Sequence, residues 1–276
     1  NKHVCQRKPR VEGIDLTYVP HGIDEKKFYP VDKLSDEFLK FRKEILHGRE
    51  FDFVALFNSR NIQRKRPSDL MLGFKKFCDS LPKNKSDKCA IIFHTDVVDQ
   101  HGTDLAAVAK ALCPQYTIIF SGSKITTQQL NLLYNVADVT CNPSSAEGFG
   151  LSHMESMMTG TPIIVPKTGG LTRQGVDYRD GTHNGVALDI DLKTLVGSQS
   201  VPFIYEDYVS SETIADGILK LHNLSPAERK TLSKKVKDYA STQFSMSNTI
   251  DKWDETLSQC IEEFKNGYQA WKCEEI

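Results

Sequence analysis

No apolar run in the 276 residues approaches the roughly 18 that a bilayer-spanning helix needs. The chain opens at Asn1 on a polar, basic stretch rather than on the apolar segment of a signal peptide. It therefore reads as soluble. Neither sign of charge is in excess, since 35 Lys and Arg stand against 36 Asp and Glu for a net charge of -1. No nucleic acid and no anionic membrane surface is expected as a partner. Any anion site must be local. The seven Cys, at 5, 78, 89, 113, 141, 260 and 273, form an odd, widely spaced set with no Cys-x-x-Cys pair, which is not a disulfide framework. Cys89 and Cys141 lie in or beside β-type runs and Cys78 in a helical pattern, as free buried thiols do, which points to a reducing compartment, the cytoplasm. Fixed-period repeats and low-complexity tracts are also lacking, which excludes solenoids and tails. The first residue is not Met, as expected of a fragment or a processed product.

What is present is an ordinary globular composition, 39% hydrophobic, arranged in alternating β-type and helical patterns from residue 51 onward. Phe51 to Phe57, Cys89 to Phe93, Tyr116 to Phe120, Asp138 to Cys141 and Pro162 to Val165 are short apolar runs bounded by polar, Gly or Pro residues. Such runs suit parallel strands buried on both faces. Between them, Pro67 to Ser80, Thr103 to Leu112, Thr127 to Asn135 and Leu151 to Thr159 carry apolar residues at helical spacings of three and four. The stretch from about Arg173 to Asp207 is broken by Gly175, Asp180-Gly181, Asn184-Gly185 and Gly197-Ser198, and predicts an irregular insertion. Beyond it, Ser211 to His222, Ala227 to Thr242 and Asn248 to Lys265 predict helices. Residues 1–50 offer a β run at Leu16 to Val19, a turn at His21-Gly22 and a helix from Asp36 to Leu46. The fold class is α/β, a doubly wound parallel sheet with C-terminal helices. Its expected parts are a leading segment (1–50), a Rossmann-like ligand-binding domain (51–246) and a C-terminal helix and tail (247–276). Ligands of such sheets bind at the carboxyl ends of the strands, where strand order switches.

The stretch from Asn142 to Glu155 follows the fourth strand and opens the fourth helix, where that site should fall. Gly148 and Gly150 let backbone approach a ligand, and the free N–H groups and partial positive charge of the helix start favour a phosphate. Glu147 precedes the helix and Glu155 lies more than a turn inside it, so the two acids can flank one extended ligand. A carboxylate accepts two hydroxyl hydrogen bonds, which suits sugar hydroxyls on either side of a diphosphate.

The run Glu147-Gly-Phe-Gly-Leu-Ser-His-Met-Glu155-Ser-Met-Met-Thr-Gly-Thr-Pro-Ile-Ile-Val resembles the Glu-x7-Glu motif of retaining GT-B glycosyltransferases, in particular family 4. Leu133-Tyr-Asn-Val-Ala-Asp138-Val upstream and Lys167-Thr-Gly169-Gly170 downstream continue the likeness, as do Phe57-Asn-Ser-Arg60-Asn-Ile-Gln-Arg64-Lys65 and Val19-Pro-His-Gly22-Ile-Asp24. Together they cover about residues 17 to 258. The resemblance implies the nucleotide-sugar-binding half of such an enzyme, with an acceptor-binding half normally N-terminal to it. It implies that Arg60 and Lys65 contact the donor diphosphate, Glu155 the ribose and Glu147 the transferred sugar. Gly148, Phe149, Gly150, Leu151, Ser59 and Gly22 would line the site, with Ile125 and Thr126 near the base. No metal and no cofactor beyond the nucleoside-diphosphate sugar is implied, and the acceptor would be a glycan, lipid or protein. Ser59 and Arg66 stand where the family usually has Gly, and His21 replaces its common Asn.

Several residues also carry plainer readings. Arg64 and Arg66 read as a solvated charge run. His94, Asp96, Asp99 and His101 match no structural zinc spacing and read as polar loop residues. Cys141 reads as a small core residue and His153 as a helix-surface residue. Ile250, Trp253, Leu257, Cys260, Ile261 and Phe264 form a helical stripe that ordinarily packs in a core, or drives association with a missing half or a second copy if left exposed. The functional expectation is a retaining glycosyltransferase half. The alternatives are a non-catalytic module that binds a nucleotide sugar or a partner, and a sugar-nucleotide hydrolase or epimerase on the same fold.

Overall fold

The computed structural model describes residues 17–122 and 124–267. Its centre is a six-stranded parallel sheet formed by β1 (Phe53–Asn58), β2 (Cys89–His94), β3 (Thr117–Phe120), β4 (Val139–Cys141), β5 (Ile163–Pro166) and β6 (Gly185–Leu188), in the spatial order β3-β2-β1-β4-β5-β6. The chain winds outward from β1 through β2 to β3, then returns to add β4 on the other side of β1 and winds the opposite way. The crevice at the carboxyl ends of β1 and β4 is thus the topological switch point.

Alternation along the strands feeds two cores. Val54 and Leu56 of β1, Ala90 and Ile92 of β2 and Ile163 and Val165 of β5 face one side. There they meet α5 (Thr127–Val136), α6 (Leu151–Met158) and α9 (Pro226–Phe244) through Leu133, Met154, Met157 and Tyr239. Phe53, Ala55, Phe57, Ile91 and Ile164 face the other side, against Leu70, Phe74 and Phe77 of α2 (Pro67–Asp79) and Ile214 and Ile218 of α8 (Ser211–His222). Covering helices on both faces explain why β1 and β2 are apolar up to their last residues, Asn58 and His94. Three shorter helices complete this part: α3 (Lys83–Ser86), α4 (Leu105–Leu112) and α7 (Leu171–Gly175).

The five expected strands and the helices between them are present with boundaries shifted by one or two residues. The stretch read as an irregular insertion is not irregular. It contains β6, the sixth strand of the parallel sheet, and an antiparallel hairpin of β7 (Leu192–Val196) and β8 (Ile204–Tyr208). The Asn184-Gly185 pair that looked like a turn is where β6 begins, with Gly185 at φ 130. A Cβ there would lie 2.1 Å from the Ile163 carbonyl oxygen, so glycine is needed for strand contact rather than for reversal.

The expected β run before the turn does not form: Thr17 to Val19 are irregular, and Leu16 lies outside the described residues. The leading segment instead docks by single contacts. Asn131 Oδ1 accepts the Tyr29 N–H and Asn135 Oδ1 the Val31 N–H, both at 3.0 Å. Helix α1 (Asp36–Ile45), capped by the Ser35 side chain, adds Phe38 to the core. Ile23 forms an isolated bridge at the junction of α9 with α10 (Met246–Gly267), donating to Phe244 O at 2.7 Å and accepting from Met246 N at 2.9 Å.

The stripe on α10 does not pack into the described core. Ile250, Trp253, Leu257 and Ile261 are each more than half exposed. No helix among the described residues is long and apolar enough to cross a membrane.

Gly22 touches the α10 end of this junction: a Cβ there would lie 2.7 Å from Met246 Cα and 2.8 Å from Thr249 Oγ1. The expected outcome for Gly22→Ala is a loss of about 1–3 kcal/mol, the usual cost of overpacking against backbone, measured by urea unfolding.

Candidate functional site

Two loops meet at the switch point. The first leaves β1 and runs through a 3-10 turn at Gln63–Lys65 to Arg66, which takes a left-handed conformation (φ 55) and starts α2. The second leaves β4, carries residues 142–150 and starts α6 from Gly150, also left-handed (φ 89). The loops are laced through one carbonyl: Arg64 O accepts the Ser145 N–H at 2.9 Å and the Ser144 hydroxyl at 3.1 Å. Ser144 Oγ also lies 2.9 Å from the Ala146 carbonyl, and Arg64 Nη1 donates to that same oxygen at 2.8 Å.

This lacing brings Lys65 onto Glu147. Their ion pair is buried, with each side chain only 10% exposed, and Arg64 Nη1 stands 3.5 Å from the same Glu147 oxygen. Burial pushes the Lys65 ammonium below its ordinary pKa, and the neighbouring Glu147 carboxylate opposes that fall. Behind Glu147, Gly169 and Gly170 press close. A Cβ on Gly169 would be 2.0 Å from Glu147 O, and the Gly170 N–H donates to that oxygen at 3.2 Å. Gly148 is the opposite case, since a Cβ there would meet nothing within 4 Å. Its face of the loop is open.

Glu155 is held differently. Asn58, at the end of β1, donates from Nδ2 to Tyr134 Oη at 2.6 Å, and the Tyr134 hydroxyl donates to Glu155 Oε2 at 2.7 Å. Tyr134 is fully buried. Burial raises the Glu155 carboxyl above its ordinary pKa while the Tyr134 hydrogen bond lowers it. Sequence reading did not single out Tyr134 as a site residue. It lay in the quoted motif, but only the fold points its hydroxyl at an acid 21 residues away.

Of the other candidate residues, Arg60 is not gathered to Glu147. It lies 58% exposed and pairs with Asp99 at 2.9 Å, whereas Arg64, read as part of a solvated run, sits at the site. Arg66 lies over the Tyr208 ring at 4.7 Å and pairs with Asp69. The Phe149 ring packs edge-on to His21 and Phe244, leaving its backbone in the loop. Leu151 is 50% exposed at the first turn of α6, and Ser59 is partly buried at the end of β1. Gly22 stands against Met246 and Thr249. Ile125 packs on the core, and Thr126 caps α5 in a reciprocal box with Gln129. Cys141 is buried in the core, where burial raises its thiol pKa.

His153, read as a helix-surface residue, is the clearest correction: its side chain is completely buried and neither ring nitrogen has a partner. The helix turns its third residue back beneath the loop rather than outward. Among the described residues no group of three or more His, Cys, Asp or Glu is placed to hold a metal ion.

A doubly wound sheet whose switch point presents an open glycine loop, a helix start, a buried lysine and two acids has the architecture of a Rossmann-like ligand-binding domain. The family model of glycosyl transferases group 1 matches residues 43–191, more than half of the chain, and the chain belongs to that family. It is 28% identical over 151 residues to alpha-monoglucosyldiacylglycerol synthase of Acholeplasma laidlawii, covering 55% of this chain and 36% of that protein. It is 36% identical over 177 residues to D-inositol 3-phosphate glycosyltransferase of Acidothermus cellulolyticus, covering 63% of this chain and 37% of that one. The chain thus spans well under half the length of these relatives. Sucrose-phosphate synthase from Thermosynechococcus elongatus shares the fold at a TM-score of 0.63 and 18% identity, over 88% of this chain and 52% of that one. Anabaena HepE, solved with UDP and glucose, does so at 0.64 and 18%, over 86% and 55%.

Two outcomes follow from these contacts. Tyr134→Phe removes the donor to Glu155 and strands the Asn58 amide, and should lower unfolding free energy by about 1–3 kcal/mol in urea titrations. His153 has its pKa pushed down to about 4 by burial and by the Lys65 charge, against an ordinary 6.5. The unfolded chain therefore takes up the proton first as pH falls. The neutral ring's contribution is intact above pH 6.5 and is lost progressively toward pH 4, by about 3 kcal/mol in all. Stability measured across that window in His153→Leu should fall less steeply than in the parent by about this amount.

Proposed function

We propose that the chain is the donor half of a retaining glycosyltransferase that moves a sugar from a nucleoside diphosphate to an acceptor hydroxyl. The observation that carries this reading is the meeting of Lys65 and Glu147 at the first turn of α6, with Glu155 held by Tyr134 farther along the same helix. A diphosphate on the free N–H groups of that turn has a cation in Lys65 and a second one near it in Arg64. The sugar then lies toward Glu147 and the ribose toward Glu155, whose Oε1 is left to accept a hydroxyl.

The reaction breaks the bond between the anomeric carbon and the β-phosphate oxygen and forms one from that carbon to the acceptor oxygen on the same face. The acceptor's proton passes to the departing phosphate, so no side chain of this half need act as base. Negative charge grows on the diphosphate as the bond breaks, and Lys65, Arg64 and the α6 amides stabilise it. Glu147 orients the sugar, and neither metal nor cofactor takes part in this scheme. A nucleotide-sugar donor is supported by the structural neighbour Anabaena HepE, which was solved with UDP-glucose. A companion N-terminal half, on the same chain or a partner chain, brings the acceptor, and the exposed stripe of α10 gives it an apolar seat.

Lys65→Ala should weaken binding of the preferred nucleoside diphosphate by about 1–3 kcal/mol, roughly five- to 150-fold, in calorimetric titration. Unchanged affinity removes Lys65 from the site, and release of free sugar without an acceptor makes the protein a hydrolase instead.

A further inference from the structure

His153 stands at the third position of α6, where a helical side chain leans back toward the start of its own helix. Its ring is completely buried, and neither Nδ1 nor Nε2 makes a hydrogen bond of ordinary length and angle. A neutral imidazole has one N–H to give and one lone pair to fill, and buried polar atoms are rarely left unpaired. On its Nδ1 side the ring packs against Gly150, where a Cβ would lie 2.8 Å from Leu171 Cδ2, 2.9 Å from His153 Nδ1 and 3.4 Å from Glu147 Cγ. The ring nitrogen and the stem of the acid are therefore neighbours across that glycine. The groups acting on the ring are the charges of Lys65 and Glu147 and the backbone of Gly150.

Glu147 has its Oε2 engaged by Lys65 and approached by Arg64. A diphosphate on the first turn of α6 competes for those same cations. Each bond they turn toward phosphate leaves a carboxylate that is only 10% exposed short of a donor, and a buried charge tolerates that poorly. An unused donor lies beside it.

We propose that His153 is a positioning residue for Glu147: when a nucleoside diphosphate draws the Lys65 ammonium away, the neutral His153 ring donates its Nδ1–H to the carboxylate and holds it toward the donor sugar. This rests on the donor-site reading given above. Burial and the Lys65 charge keep the imidazole unprotonated, so the exchange passes a hydrogen bond from one donor to another and brings no new charge into the site. Glycine is required at position 150 by its left-handed backbone (φ 89) and by the close approach of Leu171 and His153, so only backbone separates the ring from the stem of Glu147.

The test uses the full chain and calorimetric titration with uridine, guanosine and adenosine diphosphates and their glucose conjugates. His153→Leu keeps the bulk and removes both nitrogens, while His153→Asn returns an amide N–H close to the place of Nδ1. His153→Leu should bind the preferred diphosphate within about twofold of the parent but its glucose conjugate about tenfold more weakly, and His153→Asn should recover most of that loss. Equal weakening for both ligands, no weakening for either, or a sugar-specific loss that Asn does not restore overturns the proposal. Should His153→Leu fail to fold, nitrogen-15 spectra of histidine-labelled parent decide. A protonated Nδ1 whose resonance shifts on adding the diphosphate supports the proposal, and imidazole signals unmoved by a bound diphosphate overturn it. If none of the diphosphates binds the parent, the donor-site reading itself fails and this inference with it.

Discussion

Lys65 and Glu147 are 82 residues apart in the chain, yet the site is organised around their buried ion pair. Taking two charges out of water is costly, and attraction between them offsets that cost only where the geometry is fixed. Here the fixing is done by backbone. The Arg64 carbonyl takes hydrogen bonds from Ser144 and Ser145, and Gly170 donates to Glu147 O, so both loops are tied before the charges meet. The strand order makes this possible. Adjacent β1 and β4 run parallel and release their loops into one crevice, although β2, β3 and the helices between them separate the two in sequence.

The two acids of the Glu-x7-Glu pattern sit in different surroundings, and this distinguishes what each can do. Glu147 faces two cations at the mouth of the site, whereas Glu155 faces the neutral hydroxyl of buried Tyr134. The first is held by charge, between Lys65 and Arg64. The second has one oxygen fixed and one to offer, an arrangement fitted to a hydroxyl rather than to a charge. Asn58, Tyr134 and Glu155 bind the ends of β1, α5 and α6 into one chain of hydrogen bonds, so fold stability and site geometry share the same contacts.

Around this half the chain adds features that do not belong to the sheet. The leading segment is fastened by Asn131, Asn135 and the Ile23 bridge, and through His21 it reaches the Phe149 ring of the site loop. The β7–β8 hairpin is tied to the site from the other side, where Asp207 N donates to Ser145 O at 2.8 Å and Tyr208 lies under Arg66. Helix α10 carries an apolar stripe outward. The first two join a peripheral element to the crevice, and the third leaves an apolar face exposed.

Much of this was legible in the residues. Strands buried on both faces must be apolar throughout, and helices must show a stripe, so the five central βα units, the Glu147-to-Glu155 stretch and the Lys65 loop could be read locally. Strand β6 could not, because Gly-Val-Ala-Leu between turn residues acquires its meaning only from the Ile163 backbone against it. The side chains were harder still. Whether Arg60 or Arg64 turns toward Glu147 and which hydroxyl holds Glu155 depend on partners 83 and 21 residues away, and whether His153 points inward depends on the loop above it. Local pattern records the period of a chain segment and the chemistry it carries. Direction and partnership are decided by packing, where one glycine or one neighbouring carbonyl selects the orientation.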